Sequence, residues 1–308
     1  MGEALVALRA ELTKARRLRL VWTLLALMLL MVGLNSAVSY QAYQDVRRYA
    51  AVETRQAPQE QRRARAMQQE GLALALRANL VMPTAYAGVT GVIYFPGLVL
   101  MSIGVATLVG GEFGWGTVQR ALARGRRRWV VVWAKLALVV IMAGVGVAAG
   151  LVAGSLGGIW TSHLVGAWRP ESLSGQVWKD LGVMFVRLWA VLGVYGASAA
   201  AAGFLFRSAG LGVAAALVYH FLEALVSGLI VQSRGWMAAV RPYLLGNVTH
   251  SLVVNHNPFV TGLVSANGMA MESAHRLDPT GAWVALGVWG AAFVAIAFAS
   301  FVRRDLQV

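Results

Sequence analysis

Leu136 to Trp160 reads LALVVIMAGVGVAAGLVAGSLGGIW, twenty-five residues without a charge. As a helix rising 1.5 Å per residue it would be about 37 Å long, enough to cross a bilayer core of roughly 30 Å. Within this stretch Gly146, Gly150, Gly154 and Gly158 recur every fourth residue. Small residues at that spacing line one face of a helix and let a second backbone come close, so the ridge is a candidate helix-packing face. A general glycine excess in membrane helices would leave the same pattern.

Outward from that stretch, charge-free runs of similar length extend over Leu20 to Gln44, Ala78 to Gly111, Leu188 to Phe206 and Pro279 to Val302. Ser208 to Ser233 is equally apolar but carries Glu223 near its centre. Together these predict an all-α polytopic membrane protein with six transmembrane helices. The chain of 308 residues is 58% hydrophobic and only 13% charged, and its charges gather between the apolar runs; an ordinary soluble domain does not have this distribution.

The segments follow from these runs as one transmembrane domain. Residues 1–19 form an N-terminal amphipathic interfacial helix, with Leu5, Leu8 and Leu12 at helical spacing and Arg9, Glu11, Lys14 and Arg16 facing elsewhere. A first span over 20–44 leads into an external polar segment, 45–87, helical on both sides of Pro58. The second span, 88–109, contains Pro96; a basic loop occupies 110–128, and the third span 129–156. An external loop over 157–180 precedes the fourth span, 181–206, and the fifth, 208–231. The stretch 232–280 is an external loop with short interfacial helices, the sixth span is 281–302, and 303–308 is a cytoplasmic tail.

The net charge is +14, yet basic residues at membrane boundaries serve headgroups and orientation, so a lipid bilayer and not nucleic acid is the expected partner. Dense, nearly acid-free basic clusters before the first span and over Arg124 to Arg128 put both termini in the cytoplasm of an inner (cytoplasmic) membrane. The first apolar run lacks a small-residue exit pattern, so it reads as a retained anchor. Trp22, Trp129, Trp133, Trp160, Trp178 and Trp283 fall near span ends, where indoles favour the interface. With no cysteine, disulfides, thiolate metal sites and cysteine nucleophiles are excluded.

Gly111 to Gly125, GEFGWGTVQRALARG, followed by basic residues and Lys135, resembles the first cytoplasmic loop of type-2 ABC transporter permeases. The Glu11 to Lys14 segment, six spans and a long last external loop are similar to that family in outline. The resemblance implies the transmembrane subunit of an ABC exporter, whose loop contains a coupling helix docking on an ATPase. It carries an ATPase-coupling role to Glu112, Phe113, Gly116, Thr117, Arg120 and Arg124, with Phe113 as apolar anchor and the arginines as charged partners. It further implies two ABC ATPase subunits and a second permease, identical or related. The long arginine-rich segment over 45–80 departs from the short first external loop common in the family.

The chain's only lysines, Lys14, Lys135 and Lys179, follow Thr13, Ala134 and Trp178, so no Gly-Lys-Ser/Thr phosphate loop exists. No cofactor is expected in this chain; ATP and Mg belong to the ATPase partner, and no catalytic residue is assigned. Leu173 to Gln176, LSGQ, is a truncated match to an ATPase signature without the required context. His220 and Glu223 share one helical face of the fifth span and are candidates for a translocation path. Pairing of Glu223 with Arg187 or Arg207, or a buried neutral acid, is the structural alternative. His163, His250, His256 and His275 fit no compact ligand spacing, so no metal site is predicted. Asn247-Val248-Thr249 matches a glycosylation acceptor, too common a pattern to weigh. A lipid-modifying membrane enzyme using His220 and Glu223, or an independent secondary transporter, remain alternative readings.

Overall fold

The computed structural model describes residues 2–56, 59–123, 125, 127–230, 235–260 and 277–302. Its elements are α1 (Gly2–Arg17), α2 (Arg19–Gln56), α3 (Gln59–Ala78), α4 (Tyr86–Gly114), α5 (Thr117–Ala123), α6 (Arg128–Leu164), α7 (Gly175–Phe206), α8 (Ala209–Leu229), α9 (Trp236–Val240), α10 (Leu245–His250) and α11 (Pro279–Val302), with no strand among the described residues. Six of these helices are long and apolar enough to cross a membrane: α2, α4, α6, α7, α8 and α11.

The helices outrun the charge-free stretches because a helix continues into water wherever its residues are good helix formers. Helix α2 carries on to Gln56, and α6 runs on to Leu164, shortening the loop expected over 157–180. At 1.5 Å per residue, the 37 residues of α6 span about 55 Å, which exceeds the bilayer core and calls for tilt or protrusion. Helix α4 extends past residue 109 to Gly114 because Gly110 and Gly111 lie inside the bundle. A Cβ on Gly110 would collide with the backbone of Ser208, where the chain turns from α7 into α8. That turn is made by Arg207 in the left-handed region, φ 50°, with Ser208 capping α8 through Leu211 N.

Helix α7 is the axis of the bundle, packed by α4, α6, α8 and α11. Its buried face includes Leu188, Val191, Leu192, Tyr195 and the small run Ala199 to Ala201. Helices α4 and α6 meet at the glycine ridge. A Cβ on Gly150 would lie 2.8 Å from Ile93 and one on Gly154 would overlap Val89, both of α4, and one on Gly158 would lie 2.5 Å from Met82 in the turn before it. Gly146 departs from this pattern: a Cβ there meets nothing within 4 Å, because the neighbouring helix has already diverged.

On the side opposite α1, residues 236–260 fold back into the protein. Leu245, Val248 and Leu252 are fully buried, and the backbone widens into a π turn over Ser251–Asn255. Polar side chains secure this re-entry: Thr249 bonds Tyr94 at 2.9 Å and Tyr195 at 3.3 Å, and Asn257 donates to Thr90 at 2.8 Å. Asn247 of the glycosylation-like triplet donates to the Arg241 carbonyl at 2.8 Å and to Ser227 at 2.9 Å, so it clamps the segment to α8.

Candidate functional site

The candidate site lies where α4 leaves the membrane. Gly116, at φ +64°, breaks the helix and allows the sharp turn into α5, and Gly125, at φ +80°, makes the next turn toward α6. Backbone and side-chain bonds stiffen the corner. Trp115 N donates to Gly111 O at 3.0 Å, Thr117 Oγ1 to Glu112 O at 3.3 Å, and Arg120 Nη2 to Trp115 O at 2.9 Å.

Glu112 does not project from this corner. It is 3% exposed and joins an internal charge cluster with Lys135, which is 2% exposed on α6, and with Glu11 and Lys14 of α1. Lys135 Nζ sits 2.6 Å from Glu112 Oε2 and 3.4 Å from Glu11 Oε2. Lys14 pairs with Glu112 Oε1 and lies 3.5 Å from Glu11. Two acids and two bases cancel formally, which is the condition for keeping charges out of water. Burial and the neighbouring Lys135 charge pull the Lys14 ammonium below its usual range, while Glu11 opposes that pull.

This cluster shows what the polar side of α1 meets. The face turned to the protein is Ala7, Glu11, Leu12, Lys14 and Ala15, with Leu12 packed on the cluster of Leu108 and Leu138, whereas Leu5 and Val6 are exposed. The small Ala7 lets α1 settle against Val130 and Ala134 of α6, and the polar residues follow because their counter-charges wait there.

Phe113 also points inward. Its ring stands edge-on to Phe204 of α7 at 6.3 Å and to Phe301 of α11 at 6.0 Å, and those two lie 5.2 Å apart. It is therefore an anchor for the chain's own helices instead of a knob offered to a partner. The outward surface of the corner comprises Trp115, Gln119 and Arg120, with Gly116 and Thr117 half-buried behind them. Arg124 lies outside the described residues.

The family model for ABC-2 family transporter proteins matches residues 5–306. The chain belongs to this family of transporter membrane subunits. No curated relative matches it. Membership as an ABC-2 permease implies association with an ABC ATPase, and the corner between α4 and α6 of this permease is the place that the loop motif singled out.

The second predicted pair is separated by its partners. Glu223 is 8% exposed and its Oε1 accepts from Gly246 N at 3.0 Å, at the start of α10. His220 Nε2 meets Ser102 Oγ at 3.2 Å, and its ring stands edge-on to Tyr195 at 4.6 Å, while Nδ1 has no hydrogen-bond partner. Arg187 donates to the His256 carbonyl, so it is engaged with the re-entrant segment. Both residues of the pair face into the permease, and the outward face of α8 is instead Val218, Phe221, Leu222 and Leu225. Among the described residues no three His, Cys, Asp or Glu side chains come together in a metal-sized group; His275 lies outside them.

The residues that pattern reading missed are Glu11, Lys14 and Lys135 as one cluster, and Trp115 and Gln119 as the exposed edge. A signal existed for Lys135. A lysine that opens a long charge-free run must find an acid, and Glu112 closes the preceding apolar run.

Proposed function

We propose that this permease works in an ATP-driven exporter in which α5 and the preceding turn receive the motion of an ATPase. The supporting observation is the contrast within the corner: Trp115, Gln119 and Arg120 are exposed, while Glu112 and Phe113 tie the same turn to four helices. A force applied at the exposed edge passes through a charge cluster to α1 and α6, and through a ring cluster to α7 and α11. Glu112, Phe113, Gly116 and Thr117 shape the lever, and Arg120, with Arg124 on sequence grounds, offers charge to the partner.

ATP and Mg are bound by two ATPase subunits at the cytoplasmic face of the inner membrane, where both termini of this chain also lie. A second permease, identical or related, covers part of the apolar surface that α2 and α8 leave open, and the translocation path forms between the two permeases. His220 and Glu223 contribute by holding α8 to α4 and to the re-entrant segment. The acid–base pair that a lipid-modifying enzyme would need finds no support, since each member is committed to a different neighbour.

The test is co-purification with a co-expressed ATPase, together with its stimulated hydrolysis. Trp115→Ala and Arg120→Glu should each weaken docking about tenfold or more, as loss of an interface anchor does, without lowering the permease's own stability. Undiminished docking and hydrolysis in the double variant would refute the lever.

A further inference from the structure

A cleft lies between α2 and α6 on the α1 side of the bundle, and its origin can be followed along the glycine ridge. Helices α2 and α6 touch where a Cβ on Gly157 would lie 2.7 Å from Ser36 and one on Gly150 3.3 Å from Met28. One turn nearer α1, the open space at Gly146 marks the point where the two helices have separated. The gap holds a cavity of about 200 Å³ whose walls are almost wholly apolar, with Leu25, Met28, Met101 and Met142 among them. Leu12 and Ala15 of α1 close its floor.

One charged residue lines the cavity, Arg16, at the rim where α1 turns into α2. Trp22 Nε1 donates to the Arg16 carbonyl at 2.8 Å and stabilises this corner, and the Arg16 side chain is exposed. Trp22, Ile141 and Val145 are exposed at the lateral edge, so the cleft opens sideways into lipid. Its lining on α6 runs from Leu138 to Gly146, about 12 Å of helix, close to the roughly 15 Å depth of one leaflet. A dry cavity of about 150 Å³ takes one benzene, so this one has room for about eight carbons in file.

We propose that the cleft binds one acyl chain of an anionic phospholipid from the leaflet in which α1 lies, with the lipid phosphate at Arg16. An apolar slot of single-chain size, open to the leaflet and with Arg16 at headgroup depth as its one charge among the described residues, matches that ligand in shape and in sign. No polar group inside the slot could orient a polar solute. The inference rests on the membrane fold alone and is independent of the ATPase lever.

The full-length protein is placed in nanodiscs carrying a trace of phosphatidylglycerol or phosphatidylcholine with a photoreactive acyl chain, and labelled peptides are mapped. Phosphatidylglycerol should label residues 97–101 and 138–146 about fivefold more than phosphatidylcholine, roughly the bias one interfacial basic residue supplies. Arg16→Gln should bring that ratio near one. Gly146→Leu, whose side chain enters open space, should cut labelling in the cleft at least fivefold while labelling of Val288 and Ile296 on α11 persists as the control for folding. Leu25→Trp, narrowing the slot from α2, is the second blocking variant. Equal labelling of the wild-type cleft by both lipids, or cleft labelling that survives both blocking variants, would overturn the proposal.

Discussion

Replacing Lys135 by Met tests the charge cluster most directly, since it removes a cation of similar length without opening a large cavity. Before the change, Glu11, Lys14, Glu112 and Lys135 sum to zero; afterwards one negative charge is unmatched. Glu112 loses its partner at 2.6 Å and keeps only Lys14. Breaking a buried pair in this way costs about 3–5 kcal/mol, because the surviving charge stays out of water. The side chains of Lys135 and Glu112 are 2% and 4% exposed, which places this pair in the buried regime. Lys14, with its side chain 29% exposed, is partly screened, so Lys14→Met should cost only about 1 kcal/mol. Adding Glu112→Gln to Lys135→Met restores the balance and should recover about 2 kcal/mol or more of the loss. The assay is a double-mutant cycle from reversible unfolding in mixed micelles, with hydrogen exchange of α1 as a local readout. If the two single losses simply add within about 0.5 kcal/mol, the residues are uncoupled and the cluster does not tie α1 to the corner.

Gly154→Ala drives a methyl into Val89 and should destabilise by about 1–3 kcal/mol, whereas Gly146→Ala enters free space and should be neutral or stabilising by up to about 1 kcal/mol; thermal unfolding of the two variants side by side decides the matter. Phe113→Ala, which removes a half-buried ring from the Phe204 and Phe301 cluster, should cost about 2 kcal/mol, somewhat under the loss at a fully buried ring, and should loosen the ends of α7 and α11 in hydrogen exchange. Glu223→Gln keeps an acceptor for Gly246 N and should change stability by under about 1 kcal/mol, while Glu223→Leu leaves that donor unpaired at a cost of about 1–3 kcal/mol, read as faster exchange at the start of α10.

Which helices cross the membrane was legible in the letters, because the energy of placing a segment in hydrocarbon is a sum over its own residues. That sum needs no knowledge of neighbours, and six apolar runs correspond to six helices of spanning length. The GEFGWGTVQRALARG stretch was legible for a related reason: a glycine-hinged turn and a short helix are local, and family membership could be read from them.

The direction each side chain takes belongs to the tertiary structure. Periodicity on α1 marked an amphipathic helix but not what its polar side meets: the fold buries Ala7 and Ala15 because a close helix crossing needs small residues, and half-buries Glu11 with Lys14 because their counter-charges sit on α4 and α6. Gly146 and Gly154 are equivalent in sequence, yet one faces open space and the other Val89, since only the crossing point of two helices decides where a missing Cβ matters. Burial of a charge or a glycine contact depends on pairs of residues distant in the chain, and such pairs are set only when the helices have packed.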